Sequence, residues 1–208
     1  MKDGFIKVAA GTPDIRVADC EYNRAEITAL IDKAHAAGVR ILALPELCIT
    51  GYTCQDLFFQ QALLYGALNA LREITEHTAG SDMLISVGCP LRFRGELYNC
   101  AVVLKDGKIL GVVPKKFLPN YNEFYEKRHF TAAPEGQFDI ELFGESVPFG
   151  LGLLFECRTM PELVFAAELC EDVWTMDPPS VSHAKAGATV IANCSASDET
   201  TGKAGYRE

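Results

Sequence analysis

A carboxylate, an ammonium and a thiol each follow an apolar segment of this sequence. Glu46 comes after VRILALP, Lys115 after ILGVVP and Cys170 after ELVFAAEL. In layered α/β domains, catalytic groups gather where strands end. A glutamate there can act as a general base, a lysine can stabilise an oxyanion, and a cysteine can attack a carbon and form a thioester. The three positions therefore predict one site of covalent catalysis.

Each of the three residues also has an ordinary structural explanation. A glutamate after a strand is usually a solvated terminus, and a lone cysteine is usually a small hydrophobic core residue. Lys115 is followed by Lys116, and either could be a plain surface ammonium. Only the coincidence of all three at predicted strand ends favours an active site.

Alternating strands and helices are predicted to position these groups. Helical spacing of apolar residues is found over residues 21–37 and 56–78, and strand-like runs cover residues 5–10, 39–44, 83–87, 162–169 and 188–193. Asp106-Gly107 lies between two further apolar runs and predicts a β-hairpin. Residues 114–130 are polar and aromatic without a clear period, as expected of a functional loop. The pattern predicts an α/β domain with mixed sheets, in two sheets with helices outside.

Composition narrows the class of protein. The 208 residues are 49% hydrophobic and 23% charged, which excludes a disordered or fibrous chain. The net charge of −9 disfavours nucleic acid as a partner. The eight cysteines show no C-x-x-C spacing, so no metal site is predicted. With neither a signal peptide nor a long apolar segment, we expect a cytoplasmic protein without membrane contact.

The three segments resemble the signatures of the nitrilase, or carbon–nitrogen hydrolase, superfamily. The similar segments are LPELCITGY at residues 44–52, PKKFLP at 114–119 and ELCEDVW at 168–174, in the order found in that family. The resemblance implies a four-layer α-β-β-α sandwich. It also implies that Cys170 is the nucleophile, Glu46 the general base and Lys115 the stabilising cation. Glu123 matches the superfamily's second glutamate, which helps to orient the triad.

Within the superfamily, the sequence is most similar to the glutaminase domains of glutamine-dependent NAD synthetases. The similarity extends over KKFLPNYNEFYE at residues 115–126 and over NCSAS at residues 193–197. It implies that Tyr121, Glu171 and Ser197 hold L-glutamine. It also implies that Lys203 contacts the carboxylate of the substrate. Lys203 stands where the family commonly has an arginine, and it lacks the bidentate fork of a guanidinium.

The resemblance also bears on domain organisation and cofactors. Residues 1–208 are expected to be one glutaminase domain that is incomplete at its C-terminus, with the synthetase domain absent. No G-x-x-x-x-G-K-[ST] or S-G-G-x-D motif occurs in the sequence. We therefore expect no cofactor in this chain, because ATP, Mg²⁺ and deamido-NAD would belong to the synthetase domain. The resemblance further implies a homo-oligomer.

Two other functions remain open at this point. The chain could be a stand-alone carbon–nitrogen hydrolase that acts on another amide, a carbamoyl compound or a nitrile. Alternatively, it could be a non-catalytic docking or oligomerisation fragment.

Overall fold

The structure is a computed structural model that describes residues 4–207. Its larger sheet has seven strands in the order β1-β2-β3-β4-β5-β7-β6, and its smaller sheet has three in the order β10-β9-β8. The strands of the larger sheet are β1 (Val8–Ala10), β2 (Ile41–Ala43), β3 (Leu84–Phe93), β4 (Glu96–Lys105), β5 (Lys108–Pro114), β6 (Gln137–Leu142) and β7 (Glu145–Gly150). Those of the smaller sheet are β8 (Phe155–Cys157), β9 (Met160–Leu169) and β10 (Val190–Cys194).

Among the described residues, five α-helices and two 3₁₀ helices accompany the sheets. The α-helices are α1 (Cys20–Ala36), α2 (Gln61–His77), α3 (Glu126–His129), α4 (Pro179–Lys185) and α5 (Lys203–Arg207), and the 3₁₀ helices are Gln55–Phe59 and Cys170–Trp174. Asp19 caps α1 by accepting the backbone N–H of Tyr22, and the apolar face of α1 buries Ile27 and Ile31. Within residues 4–207, no helix is long and apolar enough to cross a membrane.

The two faces of the larger sheet are both buried, and β4 shows why. Successive side chains of a strand point to opposite faces. Val102 and Leu104 pack into the core on the side of α1 and α2, whereas Ala101 and Val103 pack against the smaller sheet. Helix α4 lies against β9 of the smaller sheet. The order is helix, sheet, sheet, helix, so the predicted four-layer sandwich with mixed sheets is confirmed.

The predicted elements are present, with shifted bounds, and three strands were missed. The hairpin around Asp106-Gly107 is confirmed as β4–β5. The predicted helix over residues 56–78 is divided into a 3₁₀ helix and α2. The β6–β7 hairpin and β8 were not predicted, although residues 138–142 (FDIEL) alternate apolar and polar side chains.

The topology brings the C-terminal ends of β2 and β5 to the same end of the larger sheet. Strands β2 and β3 are parallel, and β3–β4 and β4–β5 are antiparallel, so β5 runs in the same direction as β2. The loops that follow β2 and β5 therefore emerge on the same side, and β4 begins there. In the smaller sheet, β9 and β10 are parallel, so their following loops also meet.

Candidate active site

Glu46 lies in a tight turn directly after β2. The next residue, Leu47, has a φ of 51°, a left-handed conformation that is uncommon for a residue with a side chain. The Glu46 side chain is buried, and its Oε1 atom accepts 2.6 Å hydrogen bonds from Lys115 Nζ and Asn99 Nδ2. Its Oε2 atom accepts a longer bond of 3.4 Å from the backbone N–H of Ala196. One carboxylate oxygen is thus fully engaged and the other has spare acceptor capacity.

Lys115 is the first residue after β5, and its side chain is fully buried between two carboxylates. Its Nζ atom donates to Glu46 Oε1 and to Glu126 Oε1, each at 2.6 Å. Burial acts to lower the pKa of Lys115, but the charges of Glu46 and Glu126 outweigh it and raise the pKa above its usual value. The lysine therefore remains an ammonium ion. Lys116 instead bonds Asp177 at the surface, so the choice of Lys115 as the buried cation agrees with the geometry.

The glutamate beside Lys115 is Glu126, not Glu123 as the sequence comparison predicted. Glu126 is buried at the start of α3, whereas Glu123 is exposed three residues earlier. The reason is local: the chain turns into the short helix α3, and this helix directs Glu126 inward. The orienting role was predicted for Glu123, but the residue of this loop that contacts Lys115 is Glu126.

Glu126 is an unusual carboxyl group. Burial and the nearby charge of Glu46 raise its pKa to about 7, even though Lys115 and Tyr52 act in the opposite direction. The Tyr52 hydroxyl donates to Glu126 Oε1 at 2.6 Å, while the buried Oε2 atom has no hydrogen-bond partner among residues 4–207. A protonated Oε2 removes much of the cost of an unpaired carboxylate oxygen. The pKa of Glu126 therefore lies well above that of an ordinary glutamate, which favours the uncharged form of this group.

Cys170 begins the 3₁₀ helix that follows β9. Its φ is 41°, so the cysteine occupies a strained left-handed conformation at the turn from strand to helix. Burial, followed by the charge of Glu46, raises the pKa of the thiol, while Lys115 and the hydroxyls of Ser197 and Ser195 oppose this. The Cys170 Sγ atom lies 3.9 Å from Ser197 Oγ. The resting side chain is therefore a thiol that needs a base before it can attack.

Asp172 links the cysteine turn to the lysine loop. Its buried carboxylate accepts backbone N–H groups from Phe117 at 2.8 Å, Leu169 at 3.1 Å and Lys116 at 3.1 Å. Despite these bonds, burial raises the pKa of Asp172 to about 6. Asp172 therefore holds the residue before Cys170 and the residues after Lys115 against each other.

A cleft of about 640 Å³ opens beside Glu46 and Ser197. Its walls come from the loops after β1, β2, β9 and β10. The lining residues are Thr12, Pro13, Ile15, Pro45, Glu46, Cys48, Gly51, Tyr52, Val173, Trp174, Asn193, Ser195, Ala196, Ser197 and Glu199. This volume suits a small molecule. In the described part of the chain, no group of His, Cys, Asp and Glu side chains is arranged to hold a metal ion.

The four residues predicted to hold substrate fall into three places. Tyr121 donates its hydroxyl to Glu171 Oε2 at 2.8 Å, so these two form one unit. Ser197 lies beside the cysteine, as described above. Lys203, in α5, forms an ion pair with Asp198 and also bonds the Asp198 backbone carbonyl. Its ammonium is thus already neutralised by the protein.

Three residues of the site were not predicted from the sequence. They are Tyr52, Asn99 and Glu126. Asn99 is a polar residue in the buried interior of strand β4, and this was the available signal. Tyr52 lies within the first signature segment, but nothing in its spacing indicates a bond to residue 126. Glu126 lies in a loop whose sequence has no period from which burial could be predicted.

Comparison with known proteins agrees with this fold and geometry. The carbon–nitrogen hydrolase family model matches residues 7–206, and the chain belongs to that family. The glutamine-dependent NAD(+) synthetase of Mycobacterium tuberculosis is 39% identical over 201 residues, which cover 97% of this chain and 30% of that protein. The human protein of the same name is 31% identical over 199 residues and is covered to 28%.

Solved structures give the same result. A crystal structure of a glutamine-dependent NAD(+) synthetase from Cytophaga hutchinsonii superposes with a TM-score of 0.85 at 33% identity, over 97% of this chain and 32% of that one. An amidase from Nesterenkonia sp. shares the fold, with a TM-score of 0.69 at 18% identity over 96% of this chain and 68% of the amidase. The chain spans about a third or less of the length of the synthetases that it matches.

Proposed function

We propose that this chain is a glutaminase domain that releases ammonia from L-glutamine through a thioester on Cys170. The observation that supports the proposal most directly is the buried cluster of Glu46, Lys115 and Glu126 beside a strained cysteine. A buried lysine held by two carboxylates is costly to fold, and such perturbed groups are concentrated at functional sites. The match to synthetases named as glutamine-dependent supports the choice of substrate.

The proposed first half-reaction forms the thioester and releases ammonia. Glu46 accepts the thiol proton while Cys170 Sγ attacks the side-chain amide carbon of glutamine. The amide oxygen becomes an oxyanion, and the ammonium of Lys115 stabilises it. Glu46 then returns the proton to the departing nitrogen, the C–N bond breaks, and ammonia leaves the glutamyl thioester.

The second half-reaction consumes one water molecule. Glu46 takes a proton from the water as its oxygen attacks the thioester carbon, and the C–S bond then breaks. The proton returns to the thiolate, and glutamate is released. In both steps Glu46 Oε2 is the better-placed base, because Oε1 already accepts two strong hydrogen bonds. Glu126 and Asn99 hold Lys115 and Glu46 in position.

Glutamine must also be held by its charged ends. The Tyr121–Glu171 pair offers a carboxylate for the ammonium of the amino acid, and Ser197 offers a hydroxyl close to the thiol. Lys203 is the cation proposed for the α-carboxylate, although Asp198 competes for it. In a longer protein the ammonia would pass to a synthetase domain that binds ATP, Mg²⁺ and deamido-NAD. We place this activity in the cytoplasm, in a homo-oligomer.

The decisive experiment replaces the nucleophile. Cys170→Ala should abolish ammonia release from glutamine, while circular dichroism and thermal melting stay close to those of the unsubstituted protein. Cys157→Ser, at the only cysteine that is not buried, is the matched control and should retain activity. Glutamine turnover in Cys170→Ala would refute the nucleophile assignment. Turnover of other amides in place of glutamine would favour the stand-alone hydrolase.

A further inference from the structure

A further buried carboxylate, Glu168, lies next to the site and has no part in the chemistry above. It occupies β9 two residues before Cys170 and is almost fully buried. Its Oε2 atom accepts the backbone N–H of Ser180 at 2.9 Å, and its Oε1 atom accepts Asn193 Nδ2 at 3.3 Å. Glu168 and Asn193 are direct neighbours in the register of the parallel strands β9 and β10. The carboxylate thus joins β9, β10 and the start of α4.

Asn193 hydrogen-bonds both Glu168 and the backbone of Cys170, so it links the two residues. Its Nδ2 group donates a second hydrogen bond, of 3.2 Å, to the backbone carbonyl oxygen of Cys170. Its Oδ1 atom accepts the hydroxyl of Ser195. Because Glu168 and the carbonyl are both acceptors, only the NH₂ side of the amide fits between them. Both hydrogens and the oxygen of the Asn193 side chain are therefore used.

The carbonyl that Asn193 holds belongs to the strained residue of the site. Cys170 has the left-handed φ described above, and such a conformation persists only where surrounding contacts enforce it. Asp172 accepts the backbone N–H of Leu169, the residue before Cys170, but it does not bond the Cys170 carbonyl. Among the described residues, Asn193 is the one whose side chain donates a hydrogen bond to the Cys170 carbonyl oxygen.

We propose that Glu168 and Asn193 form a brace that fixes the backbone of Cys170, so that both are positioning residues for the nucleophile. This inference rests on the proposed function, because it assumes that Cys170 is the attacking group. Neither brace residue exchanges a proton with substrate. Their effect is to keep the thiol beside Glu46 and Lys115, where a small displacement costs a large factor in rate.

Two variants separate the brace from simple strand packing. Asn193→Ala removes the bonds to the Cys170 carbonyl, to Glu168 and to Ser195 together. The double variant Glu168→Gln/Asn193→Asp restores the bond between strands with reversed polarity, because the glutamine amide donates to the new carboxylate. It also keeps an acceptor for Ser180 and the same total charge. It leaves the Cys170 carbonyl without its donor.

The first measurement is glutamine turnover as a function of pH. We expect both variants to lower the pH-independent kcat by roughly tenfold or more with KM little changed, since the brace acts on the nucleophile. The double variant should melt close to the unsubstituted protein. Val190→Ala, on the same strand and partly buried against the core between the sheets, is the matched control for lost stability and should keep its kcat. A double variant with full kcat would overturn the proposal.

The second measurement does not depend on glutamine. Alkylation of Cys170 by iodoacetamide is followed across pH by peptide mass spectrometry in a Cys157→Ser background. Release of the turn should bring the thiol out of its buried place beside Glu46, so Asn193→Ala should lower the apparent pKa of alkylation towards the usual cysteine value. Coincident profiles for Asn193→Ala and its parent would refute the brace. A shifted profile in a protein that never hydrolyses glutamine would refute the proposed function and leave the brace standing.

Discussion

Gly88 on β3 lies in direct contact with the backbone of Leu47. A Cβ atom built on Gly88 would be 2.2 Å from Leu47 N and 2.4 Å from Pro45 O. These are backbone atoms of the turn that carries Glu46, so they cannot rotate away as a side chain would. The absence of a side chain at Gly88 lets the glutamate turn lie flat against the sheet.

Gly88→Ala should therefore damage both the fold and the site. Inserting a carbon into a packed core usually costs about 1–3 kcal/mol, and we expect a loss at or above the upper end because backbone must move. Glutamine turnover should fall further than stability explains. Gly152→Ala, whose new Cβ would meet only Gln137 Nε2 at 3.4 Å, is the control. Urea unfolding and kcat for both variants test this, and equal effects at the two positions would contradict it.

Glu126→Gln should change the pH dependence of stability. The folded pKa of Glu126 is about 7, against an ordinary value of 4.5. Between these values the folded state holds a proton that the unfolded state has lost, so the free energy of unfolding falls as pH rises, by up to about 1.4 kcal/mol per pH unit. Asp172 contributes in the same direction only below about pH 6.

The test is urea unfolding of three proteins at pH 5, 6, 7 and 8. Glu126→Gln should flatten the slope between pH 6 and 7, whereas Glu123→Gln, at an exposed position, should keep it. The same pair compares the two candidates for the orienting glutamate, because only the change at Glu126 should lower kcat strongly. A slope unaffected by Glu126→Gln would show that this carboxyl does not titrate near neutrality.

Asp172→Asn should loosen the lysine loop from the cysteine turn. An asparagine offers one acceptor oxygen where the carboxylate accepts three backbone N–H groups, and its NH₂ would face one of the donors. Unpaired buried groups cost about 1–3 kcal/mol each. Asp177→Asn removes a surface ion pair with Lys116 instead and should have little effect. Thermal melting gives the stability, and kcat at saturating glutamine gives the functional effect. Similar melting of both variants would argue against this role of Asp172.

Asp198 and Lys203 should affect glutamine binding in opposite directions. If Lys203 binds the α-carboxylate, Lys203→Gln raises KM. Asp198→Asn removes the competing carboxylate and should lower KM, with kcat little changed in both cases. Steady-state kinetics of the two single variants test this. An increase of KM in both variants would indicate that the ion pair itself shapes the pocket. An unchanged KM in both variants would show that Lys203 does not bind the substrate.

The three signature residues were predictable because each follows a strand, and strand ends are visible in the hydrophobic pattern. The pairing of the strands then places the ends of β2 and β5 at the same end of the larger sheet. Glu126 was not predictable in the same way, because its burial depends on one turn of α3 within an aperiodic loop. Asn99 depends on the register of β4, which the sequence of a single strand does not determine. The partnership of Tyr52 with Glu126 joins residues 74 apart, a distance along the chain that no local pattern spans.

The hydrogen bond from Ala196 to Glu46 has a consequence for the order of folding. Strands β1 to β5 lie side by side in the order in which they occur along the chain, so each pairing joins segments that are neighbours in that order and can form early. Glu46 and Ala196 are 150 residues apart, and their contact requires the smaller sheet to have docked. During refolding, secondary structure should return before the protection of Cys170 from alkylation. The site is then the last part of the domain to be assembled, and recovered activity reports a completely folded chain.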